Sequence, residues 1–113
     1  MIFQRIKNEM TPGTALQGGS YTIKGFTLKR NGEPTLVYCI RSRTAKKQSQ
    51  KNIPQSKWEQ AHMQLMAAGK ITRRWFNLAR KRQPCDFSVI GKVFVHLGIA
   101  DERPAEYVLR TLQ

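Results

Sequence analysis

Between residues 56 and 98 the chain places three helix starts and two helix stops, joined by short connections. Ser56 and Glu59 stand in an S-x-x-E arrangement, in which hydroxyl and carboxylate satisfy each other's orphan backbone donors. A helix is predicted from there to Ala68, with Gly69 in the left-handed position that closes it. Thr72 opens a second helix, with Ile71 before it and Phe76 four residues later. Asp86 opens a third, flanked by Cys85 and Ile90 in the same spacing, and Gly98 ends it. Each is an N-cap with an apolar pair set as a hydrophobic staple. Short connections force such helices to turn sharply on one another, which is a helix-turn-helix arrangement.

The apolar periods agree with this reading. Trp58, Ala61, His62, Leu65 and Met66 recur at helical spacing in the first segment, and Trp75, Phe76 and Ala79 in the second. In the third, Phe87, Ile90, Val93 or Phe94, and Leu97 form the inward stripe, leaving Ser88, Val89, Lys92, Val95 and His96 outside. The β-branched residues Val89, Ile90, Val93 and Val95 keep open a strand over 92–100. Residues 101–104 read as a turn between apolar Ile99-Ala100 and a short strand at 105–109, which leaves a small two-stranded ribbon open.

The first half has a different grammar. Ile2, Phe3, Ile6 and Met10 fit about two helical turns. Thr11-Pro12-Gly13 and Gly18-Gly19-Ser20 interrupt the chain before residues 21–40, which read as a β-hairpin. Its apolar phase shifts at Gly25, the signature of a bulge. Asn31-Gly32 is a strong hairpin-turn signal, because both residues tolerate positive φ. Pro34 argues for a sheet edge at that end. Residues 41–51 form a basic, acid-free connector, with a third short strand near Asn52 and Ile53. The expected fold is therefore α+β, with an N-terminal antiparallel β-hairpin or small sheet leading into a three-helix unit and a short C-terminal strand. At 113 residues it reads as one domain, with parts at 1–55 and 56–113.

Charge narrows the function. Twenty Lys and Arg against seven Asp and Glu leave a formal +13, a self-repulsion that folding does not need. A polyanionic partner is the economical explanation, nucleic acid before an anionic membrane. No apolar run is long enough to span a bilayer, and residues 1–10 lack the apolar core of a signal peptide. Cys39 and Cys85 read as reduced packing residues of a cytoplasmic protein.

Three helices, the exit Leu97-Gly98-Ile99 and the strand Tyr107-Val108-Leu109-Arg110 together resemble a winged helix-turn-helix domain over residues 56–110. The resemblance implies a third helix in the major groove and a wing on the adjacent backbone or minor groove. By position, Ser88, Lys92 and His96 would face base edges or phosphates, and Arg103 would lie in the wing. Arg73 and Arg74 would clamp phosphate, as would Arg80, Lys81 and Arg82. The connector adds Arg41, Arg43, Lys46 and Lys47. The third helix has no Arg, Asn or Gln between Asp86 and Leu97, and Asp101 and Glu102 sit beside Arg103. Such a chain is expected to bind duplex DNA mainly through Lys and Arg on phosphates, with modest specificity, as a transcription regulator or an accessory of a mobile-element or restriction system.

Catalysis and cofactors are not expected. The one close set of acids, Asp101, Glu102 and Glu106, falls in the turn and strand. Cys39, His62, Cys85 and His96 lack paired metal-ligand spacing, and no Gly-rich phosphate loop occurs. Two other readings stay open. Tyr21, Phe26 and Tyr38 on a sheet face would stack unpaired RNA bases, with the 41–51 connector tracking the backbone. An apolar face at Val89 and Val95 would serve a protein partner or a homodimer.

Overall fold

A computed structural model describes residues 1–16, 21–40, 49–79 and 84–110; for Ser49, Leu78, Ala79 and Pro84 the description is of the backbone alone. The elements run α1 (Ile2–Glu9), β1 (Tyr21–Leu28), β2 (Pro34–Ile40), β3 (Ser49–Pro54) and α2 (Gln55–Ala68). They continue with β4 (Lys70–Thr72), α3 (Arg73–Ala79), α4 (Pro84–His96), β5 (Ala100–Arg103) and β6 (Glu106–Leu109). The class is α+β, but the arrangement corrects the expected one. A helix comes first, and the N-terminal part holds a three-stranded sheet in the order β1-β2-β3. The helical part contains a strand, β4, between its first two helices, and the C-terminal strand is one of a pair. These make a second sheet, ordered β4-β6-β5. Two compact units result, Met1–Glu59 and Gln60–Gln113, and the boundary falls within α2.

In the first unit, Ile23, Leu36, Tyr38 and Ile53 are completely buried along one side of the antiparallel sheet. Ile2, Phe3 and Ile6 of α1 are also buried, and the Phe3 ring meets Phe26 edge-on at 5.9 Å. Trp58 is fully buried and its indole N–H donates to the Ile53 carbonyl at 3.2 Å. The register shifts between Ile23 and Gly25, the bulge expected there, and Gly25 takes φ +154°. Beyond it the core side passes from odd to even positions. The hairpin turn departs from the expected form. Gly32 alone has positive φ, at +82°, and its N–H closes the turn on the Lys29 carbonyl at 2.8 Å. Pro34 begins β2, which is the central strand and not an edge. The free edge of β1 is covered instead by residues 13–16, through Ile23 N–H to Thr14 O (2.8 Å) and Leu16 N–H to Tyr21 O (2.9 Å).

The capping box expected at Ser56 and Glu59 is not formed. Glu33 reaches from the hairpin to accept the Ser56 N–H at 2.9 Å, and Glu59 accepts the Phe3 N–H at 3.2 Å. Each carboxylate thus caps a helix N-terminus distant in sequence, where orphan N–H groups and the helix dipole both favour an anion.

In the second unit, the three residues of β4 form a strand because β6 pairs with them, Ile71 opposite Tyr107. Residues 100–103 are β5 and not a turn; the chain reverses at Pro104-Ala105, with Ala105 at φ +59°. Residues 84–96 are helical, so the strand alternative fails. The helix begins at Pro84, a favoured first-turn proline, which puts Asp86 inside the first turn and buried instead of at the N-cap. Gly98 ends α4 in a Schellman motif. Its φ is +78°, its N–H donates to Val95 O, and the Ile99 N–H donates to Phe94 O, both at 3.0 Å. Phe87 lies 5.6 Å from Phe76 and 5.3 Å from Tyr107, joining both helices to the sheet. Gly91 lies so close to the Tyr107 ring that a Cβ there would overlap it.

Candidate nucleic-acid interface

Thr72 does what its sequence context predicts. Its Oγ1 accepts the Trp75 N–H at 3.0 Å, and α3 starts at once, with Arg73 and Arg74 as its first two residues. The β5–β6 hairpin reaches the same point. Thr72 pairs with Glu106 and Glu106 with Arg103, so β4, β6 and β5 end in one row. The Arg73 N–H donates to Ala105 O in the turn between β5 and β6, at 3.0 Å. Arg73, Arg74 and Arg103 are therefore gathered at one end of the second sheet, all exposed. The Arg73 guanidinium lies 5.0 Å from the Phe87 ring centre, a cation–π contact that orients the charge without cancelling it. None of the three has an acidic partner among the described residues.

The other basic groups of this unit are differently placed. Lys92 bonds to Glu102 at 3.3 Å with its side chain only 17% exposed, and the Tyr107 hydroxyl lies 3.5 Å from the same Glu102 oxygen. Arg110 donates through Nε and Nη2 to Asp101, at 3.0 and 2.7 Å. Asp101 and Glu102 of β5 thus act as counter-ions to Arg110 and to Lys92 of α4, and Lys92 is not a free phosphate ligand. Val89, expected outside, is fully buried at the edge of one broad inward face that also holds Ile90, Val93 and Phe94; Val95 and Ser88 are half-buried and His96 is exposed in the last turn. The outward strip of α4 is narrow and its one lysine is already paired. The apolar face imagined for a partner at Val89 and Val95 is correspondingly small.

Arg41, Arg43, Lys46, Lys47, Arg80, Lys81 and Arg82 lie outside the described residues. The aromatic platform for unpaired bases is not available: Tyr38 has no exposed surface, Tyr21 stands edge-on to it at 6.0 Å, and Phe26 packs on Phe3. No group of three potential metal ligands occurs among the described residues. No helix among them is long and apolar enough to cross a membrane. Cys39 and Cys85 are free.

One polar constellation goes unnoticed in the sequence. Lys24, set by the bulge, reaches across the central strand and donates from Nζ to Gln50 Oε1 at 2.7 Å. The phase shift at Gly25 hints at an outward Lys24, but its partner on β3 needs the register. Against known proteins, the chain matches no family model, no curated sequence and no solved structure.

Proposed function

We propose that the second unit is a winged helix-turn-helix that binds duplex DNA through its phosphate backbone, with modest sequence specificity of its own. The observation that carries this reading is the gathering of Arg73, Arg74 and Arg103 at one end of the β4-β6-β5 sheet, exposed and without acidic partners among the described residues. The order of elements supports it too: three helices, then a two-stranded wing that β4 anchors to the helical part. Affinity comes from counterion release as arginines replace condensed cations on the phosphates. The α4 face contributes little, because Lys92 would first have to leave Glu102. The biological setting is a regulator or an accessory factor acting on DNA.

A salt titration of affinity for duplex DNA tests this. With about six phosphates neutralised, log K falls against log salt with a slope near −5, at roughly −0.9 per phosphate. Replacing Arg73, Arg74 and Arg103 by Ala lowers the slope by nearly one unit each and weakens all duplexes alike. An affinity that ignores salt, or that survives R73E/R74E/R103E, would overturn the reading.

A further inference from the structure

Antiparallel sheets commonly keep one face on the core and one in water. The outer face of the first sheet exposes Lys24, Thr27, Gln50 and Asn52, with Thr22 half-buried beside them and Thr35 fully buried on the central strand. It has no Asp or Glu among its described residues. At the hairpin end, Lys29 and Arg30 are exposed, while Glu33 is engaged by the Ser56 N–H. The centre of the face is low: Val37 and Cys39 of β2 form its floor, and Lys24 lines two shallow depressions of about 260 and 300 Å³. Lys24 and Gln50 hold each other across that floor at 2.7 Å. This contact uses one of three ammonium protons and one amide lone pair, leaving a set of N–H donors fixed in place.

We propose that this face enters the major groove of duplex DNA and reads base edges, with the Lys24–Gln50 pair on the O6 and N7 acceptors of guanine. The proposal rests on the DNA-binding reading above and adds to it the base readers that α4 lacks. The chemistry matches: lysine pairs with guanine O6/N7, Asn52 has the amide that reads adenine, and Thr22 and Thr27 offer hydroxyls and methyls. An acid-free face bordered by two cations meets the negative groove without repulsion.

Selection from a randomised duplex library, followed by titration of the enriched duplex, provides the test. The wild-type chain enriches a guanine-containing motif, and replacing that guanine by 7-deazaguanine, which lacks N7, weakens binding about tenfold. The K24A/Q50A variant loses this discrimination, keeps its affinity for unselected duplexes within about threefold, and no longer responds to 7-deazaguanine. N52A, which removes the amide without adding charge, changes the enriched motif at a different base; both variants alter exposed side chains, and a wild-type melting profile shows that they fold. Unchanged enrichment by K24A/Q50A, or binding without any enriched motif, overturns this inference alone. Preference for single-stranded RNA overturns it too. A wild-type chain that binds no nucleic acid sinks the DNA reading itself.

Discussion

Glu33 shows how one side chain links the hairpin of the first unit to its second helix. Its pKa lies below the ordinary 4.5, first because its carboxylate accepts the Ser56 backbone N–H, with the Ser56 side chain and the charges of Lys29 and Lys57 acting in the same direction. A depressed folded-state pKa means that the charged form stabilises the fold. The contribution is complete above the unfolded-state value and disappears as pH drops through the lowered folded value. Glu33→Gln keeps an oxygen for the N–H but removes the charge. Melting wild type and E33Q at neutral and at acid pH is expected to show a gap that narrows on acidification, the wild type losing its advantage. A gap of equal size at both pH values would mean that Glu33 acts through shape and not through ionisation.

At the scale of elements, the boundaries that local chemistry decides are readable from sequence, and those that a distant partner decides are not. Thr72, Gly69 and Gly98 act within a few residues of their own positions, as does the bulge at Gly25, and all four hold. Glu59 has two choices, its own helix start or the Phe3 N–H fifty-six positions away, and only the folded chain decides for the second. Lys70-Ile71-Thr72 is too short to announce a strand without Tyr107 and Val108 opposite it. The period of α4 gives its helix but not the breadth of its inward face, which hides Val89 as well as Ile90. For the site, Thr72 makes Arg73 and Arg74 legible as the opening of α3. Their neighbour Arg103 is visible only once β4, β6 and β5 are ordered. Thr72 is therefore the cap on which the arginine cluster depends. Thr72→Ala is expected to cost about 1 kcal/mol in unfolding free energy and to weaken duplex binding as the start of α3 frays. Thr72→Ser, which restores the oxygen, should recover both. Stability lost in T72A with DNA affinity untouched would separate the cap from the proposed interface.

For the whole molecule, one set of charges must serve two opposed demands. A formal +13 on 113 residues repels itself in the free protein, yet the same charge attracts a polyphosphate. Among the described residues, three ion pairs offset part of it: Arg5 with Glu9, Lys92 with Glu102, and Arg110 with Asp101. Arg5–Glu9 and Arg110–Asp101 are roughly half-exposed, and pairs of that kind typically contribute about 0–1 kcal/mol. Salt screens both the repulsion and the pairs, over a Debye length of about 10 Å at 0.1 M. Because twenty cations share seven acids, the repulsive contacts outnumber the attractive ones, and repulsion should dominate the response. Two measurements on one preparation then move in opposite directions. As sodium chloride rises through the physiological range, the melting temperature of the free protein rises and its affinity for duplex DNA falls. Neutralising Arg73, Arg74 and Arg103 flattens both curves, since the exposed cluster contributes to each. A melting temperature that falls with salt would show instead that the ion pairs, led by the largely covered Lys92–Glu102 contact, outweigh the repulsion, and the link between stability and DNA binding through a shared excess of charge would be lost.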